Sequence, residues 1–448
     1  MHVYGFSSIS ICRRTFFHFI GCSLPNLLQH PQRHITQDLL HGKREVKGIM
    51  QVVEVIFWIS VGFVFYSFVG FPILLALRAL FFRKPVKRGA TTPTISVIIA
   101  AHNEGAIIRK KLDNVFALKY PRHFLEVVVA SDGSEDETEH QVRQYPSTQI
   151  KLLALPRRGK NYALSAAVEK ATGEILVFTD ADTMMAANSL QYLIAPFSDR
   201  DVGAVGGDYR YEKNGMEVEG ERTYWSYDRW IKLIQTAAGS MTSATGQIYA
   251  LRRKLFAEIP FGVTDDCFES IQAPAHKKRL IFEPEAIAYG PITDSAQIEF
   301  HRKVRNVANG LSSVWKMKRL LNPFRYGFYS LQLFSHKVLR RLVAFPLFAM
   351  FVCSLILWPH GFIYQSIALA QIFVYGLGLT YPLAARTGSK LLKKIVALPF
   401  FFELVNAAAV VAIAKLLFRK QQDIWRPYRP VMNKYATASA QSEISRTE

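Results

Sequence analysis

Cysteine is scarce in this chain of 448 residues: Cys12, Cys22, Cys267 and Cys353 are the whole complement. They show no CxxC spacing and no histidines at ligand intervals, which argues against a disulfide framework and against a structural zinc site. Acidic residues are also in deficit. Only 35 Asp and Glu face 55 Lys and Arg, a net charge of +20, which suits contact with anionic lipid, nucleic acid or phosphate-bearing ligands without choosing among them. Nor is there a convincing signal peptide, because the apolar piece at 16–22 is short and no A-x-A-like site follows it. Residues 1–49 have no sustained hydrophobic period. We expect a disordered leader or an over-extended start there, with Met50 standing immediately before the first long apolar run.

Long apolar runs are what the chain has in abundance. Half of its residues are hydrophobic and the mean hydropathy is +0.10, too apolar for an ordinary soluble domain. A bilayer span needs ~20 consecutive apolar residues. Residues 55–77 carry no charge, which predicts a transmembrane segment within 51–82. The stretch 342–385 has no Lys, Arg, Asp or Glu but is broken by Pro359, His360 and Gly361, so it reads as two spans joined by a tight turn. A third region, 395–414, is apolar except for Glu403 and is interrupted by Pro399 and Asn406. The predicted C-terminal membrane region is therefore 342–417, with two or three spans and a polar tail at 418–448.

Basic flanks stay on the cytoplasmic side of a membrane. Arg83, Lys84, Lys87 and Arg88 follow the first span, and Lys337, Arg340 and Arg341 precede the second. Residues 83–341 are thus expected in the cytoplasm, in a multi-pass protein of the plasma membrane. Three later spans would put Arg419, Lys420 and Arg426 outside, so either the last apolar region is re-entrant or interfacial, or the rule is broken there. Residues 324–341 mix Phe324, Phe328, Leu331 and Leu333 with cations, the pattern of an interfacial amphipathic helix.

Between the apolar regions the pattern changes to α/β. Apolar, β-rich runs at 95–100, 125–130, 150–155 and 175–178 alternate with helical spacing such as Ile107, Ile108, Leu112, Val115 and Phe116. That order predicts right-handed βαβ units and a mostly parallel sheet, in which ligands bind beyond the carboxyl ends of the strands. Those ends are polar. The first is followed by Ala101, His102, Asn103 and Glu104, and the second by Ser131, Asp132, Gly133, Ser134, Glu135, Asp136, Glu137 and Thr138. Capping of the next helix explains each of these taken singly. After the third strand, Arg157, Arg158, Gly159, Lys160 and Asn161 place cations and a glycine at a helix start, which suits a pyrophosphate or a solvated turn. After the fourth come Asp180 and Asp182. Two carboxylates at i and i+2 past a buried strand repel one another unless a cation joins them, and an oxygen-only donor set favours Mg²⁺ or Mn²⁺.

Taken together, these segments resemble the nucleotide-sugar-binding half of family 2 glycosyltransferases, the GT-A fold, over about residues 90–315. The resemblance continues through 245–253, similar to the family's acceptor-side segment, and through Thr264, Asp265 and Asp266, similar to its Thr-Glu-Asp motif. Membrane segments on both sides are similar in layout to synthases of cellulose, chitin, hyaluronan and poly-N-acetylglucosamine. One departure stands out. The family's processive members carry Gln or Arg, two residues, Arg, then Trp, whereas this chain has Arg302, Lys303, Val304, Arg305 and Asn306. The guanidinium pair at i and i+3 shares a helix face, but the tryptophan that would lie under a retained sugar chain is absent.

The resemblance implies an inverting, metal-dependent hexosyltransferase. Glu104 and Asp132 would face the uracil and ribose of a UDP-sugar donor. Lys160, Arg302 and Arg305 would neutralise its diphosphate, Asp180 and Asp182 would hold Mg²⁺ or Mn²⁺, Gly246 would lie in the acceptor-side segment, and Asp266 would be the general base. The acceptor would be a growing polysaccharide or a lipid-linked molecule, with the lipid bilayer and accessory export or assembly subunits as partners and no nucleic acid. Residues 224–230, rich in Tyr and Trp, would line an acceptor groove or pack as a helix face. The competing readings are a single-transfer enzyme that makes a glycolipid or a polyprenyl-phosphate sugar, and a catalytically silent membrane scaffold that binds nucleotide or anionic polymer.

Overall fold

A computed structural model describes residues 31–211, 219–291, 295–387 and 389–418, with side chains of the helix Glu219–Ala238 described from Ser226 onward. Two compact units are distinguished, 1–55 and 56–448. Helix α1 (Pro31–Phe65) begins inside the segment expected to be a leader, so residues 31–49 are helical; residues 1–30 and the tail beyond Phe418 lie outside the described residues. A π-turn at Tyr66–Gly70 leads into α2 (Phe71–Phe81). The apolar run predicted at 55–77 is thus helical throughout, inside a candidate membrane helix from Arg44 to Phe81.

The α/β unit starts with β1 (Ile95–Ala101), α3 (Ile108–Ala117), β2 (Leu125–Asp132), α4 (Thr138–Arg143), β3 (Ile150–Leu155), α5 (Lys160–Lys170) and β4 (Ile175–Thr179). All four strands fall where the apolar runs placed them. Every residue of β1 and β4 is buried, as expected of parallel strands covered on both faces. Alternation divides their side chains between two cores. Ile98, Val128 and Leu176 pack on Leu164 and Ala167 of α5, whereas Val97, Ile99, Val127 and Val129 pack on Leu112 and Val115 of α3.

Beyond β4 the chain forms β5 (Met184–Met185), α6 (Ser189–Ile194), β6 (Val202–Tyr211), α7 (Glu219–Ala238), β7 (Ile248–Arg252), α8 (Asp265–Ser270), α9 (Gln272–Ala275), β8 (Arg279–Gly290) and α10 (Ala296–Lys316). The sheet order is β3-β2-β1-β4-β7-β6-β8-β5. Strands β3, β2, β1 and β4 pair in parallel, and β6 pairs in parallel with β8. In contrast, β7 runs antiparallel between β4 and β6, and β5 pairs antiparallel with β8. The sheet is therefore mixed, with its parallel half carrying the four motif-bearing strand ends.

The segment expected as one amphipathic helix at 324–341 is broken into α11 (Pro323–Tyr326), α12 (Phe328–Leu333), a π-turn at Phe334–Leu339 and α13 (Arg340–Leu342). Gly327, at φ +57°, makes the first break, a conformation that costs a side-chain-bearing residue but not glycine. Next come α14 (Ala344–Ile356), a 3₁₀ turn at Trp358–His360, α15 (Phe362–Leu379), α16 (Tyr381–Arg386) and α17 (Lys390–Leu417). The turn sits where Pro359, His360 and Gly361 predicted it. Among the described residues, three helical stretches are long and apolar enough to cross a membrane: Arg44–Phe81, Phe362–Ala384 and Leu391–Leu417. With 13 residues α14 is too short to do so alone, and it meets the Phe328–Leu342 segment at a 51° bend. Helix α17 also packs on the α/β unit, with Ala408, Ala409 and Ala412 against Val304, Val307 and Ala308 of α10.

Candidate functional site

The loops after β1 and β2 are sewn to each other. Asn103, at φ +55°, accepts from the Glu135 N–H through Oδ1 at 2.7 Å, and its own N–H donates to Ser134 Oγ at 3.0 Å. The N–H of Glu104 donates to Thr138 Oγ1 at 2.7 Å, and Asp136 caps α4 by accepting from the Thr138 N–H at 3.0 Å. Much of the motif chemistry at these ends is therefore loop architecture.

Asp132 closes the next link. Its side chain is fully buried, and its oxygens accept from Arg157 Nη1 at 2.7 Å, from the Arg158 N–H at 2.7 Å and from the Gly159 N–H at 2.9 Å. Gly133, at φ +61°, is pressed so close to Arg157 that a Cβ would lie 2.8 Å from its backbone nitrogen, so only glycine fits. This clamp fixes the turn from β3 into α5 and with it the position of Lys160. Gly159, at φ +100°, is the residue that opens α5.

Lys160 stands between two acids. Its Nζ is 2.8 Å from Asp180 Oδ1 and 2.9 Å from Asp265 Oδ2. Burial opposes its charge, yet the two carboxylates hold its pKa above the ordinary lysine value. Asp182 is half-buried beside Asp180, and loss of hydration followed by repulsion from Asp180 raises its pKa. No cluster of three or more His, Cys, Asp or Glu ligands occurs among the described residues. The pair nonetheless fits a hard divalent ion, since Mg²⁺ and Mn²⁺ sites at phosphates use one or two carboxylates and complete the shell with substrate oxygens and water. The repulsion that lifts Asp182 is the strain such an ion would relieve.

Sequence reasoning missed the residue beneath this pair. Lys111 of α3 is wholly buried, with Nζ donating to Thr179 Oγ1 at 2.8 Å and to the Thr183 carbonyl. Burial lowers its pKa to about 7, against the pull of Asp180 and Asp182. Helical spacing gave no warning, because a lysine next to Leu112 reads as a solvated position. A second omission is Tyr249, stacked on Phe178 with centroids 4.7 Å apart. Burial, then the nearby Asp265, Glu269 and Asp266, push its hydroxyl pKa well up.

Helices α8 and α10 supply further groups. Asn161 Nδ2 donates to the carbonyls of Pro260 and Val263, both at 3.1 Å, and the Thr264 N–H donates to Ser313 Oγ at 3.2 Å. The loop ahead of α8 is thereby pinned between α5 and α10. Asp266 is half-buried in the first turn of α8 and accepts from the Cys267 N–H at 2.7 Å. Its pKa is raised, first by burial and then by Asp265. Gly246 lies against it; a Cβ there would stand 3.6 Å from the Asp266 Cβ. On α10, Glu299 grips Arg302 at 2.5 Å and Lys303 at 3.1 Å, and burial lowers the Arg305 pKa.

One cavity of about 850 Å³ joins these groups: Lys160, Asp180, Gly246, Asp266, Arg302 and Arg305 all line it. Asp182, Glu104 and Asp132 are not among its lining residues. Asn306 and Tyr227 also line it, whereas Trp315 is exposed elsewhere. Trp225, the other aromatic candidate, falls outside the described side chains.

Residues 96–260 match the family model Glycosyl transferase family 2. The chain is 31% identical over 169 residues to a beta-monoglucosyldiacylglycerol synthase of Trichormus variabilis, covering 36% of each protein. It is 26% identical over 264 residues to a poly-beta-1,6-N-acetyl-D-glucosamine synthase of Staphylococcus aureus, covering 57% of this chain and 62% of that one. It thus spans between about one third and two thirds of these relatives' length. In three dimensions it is similar to a mannosyltransferase from Pyrobaculum calidifontis solved with GDP-Man and Mn²⁺, with TM-score 0.64, 23% identity, and coverage of 82% of this chain and 99% of that one. The α/β unit has the GT-A fold.

Proposed function

We propose that this chain, which carries a family 2 glycosyltransferase domain, transfers a hexose from a UDP-sugar to a growing polysaccharide or a lipid-linked acceptor, with inversion at the anomeric carbon. The observation that carries the reading is the cavity in which a half-buried carboxylate of raised pKa, Asp266, shares space with Lys160, Asp180, Arg302 and Arg305. Asp266 accepts the proton of the acceptor hydroxyl while that oxygen bonds to the anomeric carbon and the bond from that carbon to the nucleotide's phosphate oxygen breaks. Lys160 and the arginines of α10 bind the departing diphosphate through charge-assisted hydrogen bonds. A divalent ion held by Asp180 and Asp182, Mg²⁺ or Mn²⁺, would supply further positive charge at that diphosphate. The Lys160–Asp180 ion pair holds these two side chains in order for the donor's phosphates.

Glu104 and Asp132 are proposed to bound the nucleoside end, Asp132 acting through the Arg157–Gly159 turn that it clamps. The apolar helices embed the protein in a membrane as a multi-pass enzyme, with its catalytic domain on the cytoplasmic side where nucleotide sugars are made. Metal-dependent release of nucleotide from a panel of UDP-sugars and GDP-mannose tests the reading. Release of UDP from at least one sugar, abolished by chelator, is expected; tight nucleotide binding with no release from any donor would leave only the scaffold reading.

A further inference from the structure

The same cavity holds a further group of cations besides those assigned to the donor. Lys337, Arg340 and Arg341 line it from the segment just ahead of α14. Arg341 lies against α10 where Gly310 leaves room for it: a Cβ on Gly310 would stand 3.2 Å from the Arg341 Nη2. Lys337 Nζ donates to Ser243 Oγ, in the loop that leads to Gly246, and its charge is felt at Asp266. Nine Lys and Arg but only five Asp and Glu line the cavity. The cavity also has an apolar face. Leu398, Phe401, Phe402, Val405 and Ala409 of α17 line the cavity, and α17 is one of the helices long and apolar enough to cross a membrane.

A nucleoside diphosphate accounts for the cations of α5 and α10, not for this further cluster or for an apolar surface. A neutral glycan can pack on aromatic faces but offers the cations no anion. An amphiphile with an anionic head uses both: acyl chains against α17 and a phosphate among Lys337, Arg340 and Arg341, where charge-assisted hydrogen bonds are strong because the site is partly dry. We propose that the acceptor is a single lipid whose headgroup carries a phosphate, bound between α13 and α17, with a hydroxyl of that headgroup delivered to Asp266. This rests on the transferase reading for what happens to the hydroxyl, but the lipid site stands on its own lining.

Binding tests it without any donor. The full chain in neutral detergent is titrated by native mass spectrometry with dioleoyl phosphatidylglycerol, with dioleoylglycerol as the same chains without phosphate, and with glycerol 3-phosphate as the head without chains. Phosphatidylglycerol should bind at least about tenfold more tightly than either, the scale of one charge-assisted contact. Arg341→Gln and Lys337→Gln should each lose about tenfold, whereas Lys110→Gln, an exposed position on α3, should lose nothing although it removes the same charge. That control separates a site from the general attraction of a +20 protein. Arg340→Gln replaces either variant whose melting shows that it has not folded. Equal binding of dioleoylglycerol, equal displacement by glycerol 3-phosphate, or equal losses in the Lys110→Gln variant would each overturn the proposal. Failure of sugar release with the lipid preference intact would sink the transferase reading and leave the lipid site.

Discussion

Replacing Lys111 by Met isolates the contribution of the buried ammonium beneath the acidic pair. The two side chains are similar in length and volume, so no cavity is created. What is lost is the donor to Thr179 Oγ1 at 2.8 Å and to the Thr183 carbonyl, and the only wholly buried cation among the described residues, which faces both Asp180 and Asp182. A charge-assisted hydrogen bond is worth about 1.5–3 kcal/mol, and leaving buried charge uncompensated costs about 3–5 kcal/mol. The ammonium also sheds a desolvation cost when removed, so about 3–4 kcal/mol of net loss is expected. For a unit of this size that is a fall of roughly 10 °C in Tm. Thermal unfolding of the full chain in detergent, in EDTA and at pH 6.5 where the lysine is mostly charged, measures it. Mn²⁺ should raise the variant's Tm more than the wild type's, because the ion meets carboxylates no longer shared with an ammonium. A variant within about 1 kcal/mol of wild type, roughly 3 °C, would mean that desolvation cancels the contacts of Lys111, and the reasoning would fail.

Three further outcomes are expected. Asp266→Asn should cost about 10²-fold or more in turnover with donor binding nearly unchanged; since the wild-type carboxyl is raised above the usual Asp range, the rate should climb with pH through that raised pKa, and the limb should be missing in the variant's profile. Asp180→Ala should abolish metal-dependent UDP binding, read by isothermal titration, while insertion and melting persist; near-normal turnover of wild type in chelator would sink the metal assignment. Glu126 concerns acid stability: despite desolvation, its hydrogen bonds from Ser96, Lys151 and the Thr172 N–H lower its pKa to about 2. A depressed folded pKa contributes stability that is present above the unfolded value and lost as pH falls through the folded one. Glu126→Gln should therefore lower stability by about 1–2 kcal/mol at pH 7, discounted for partial exposure, with the difference shrinking from about pH 4.5 toward pH 2; a gap that stays constant across that range would refute it.

The strand positions, the turn at 358–361 and the polar strand ends were legible in the sequence because they depend on local periodicity and on residues that stop it. Asp180, Lys160, Arg305 and Asp266, which the structure brings to one cavity, could be picked out as candidates because their chemistry is unusual where it stands, at ends of apolar runs or on one face of a helix. The leader was not: its helix from Pro31 has too irregular an apolar pattern to announce itself. The single amphipathic helix was misread because Gly327 breaks it through a backbone conformation that sequence spacing does not report.

What the sequence determined by itself is the alternation of strand and helix, the apolar helices at both ends and the identity of most charged groups in the site, since each follows from a chain segment a few residues long. Only the tertiary structure decided how those charges meet. It put Lys160 between Asp180 and Asp265, although Asp265 lies 105 positions further along the chain; it sank Lys111 beneath the acidic pair and turned Asp132 into a clamp for another loop. It also brought Lys337, Arg341 and the apolar residues of α17 to one cavity. Charges many residues apart act on one another only through the distance and the dielectric between them, and packing sets both.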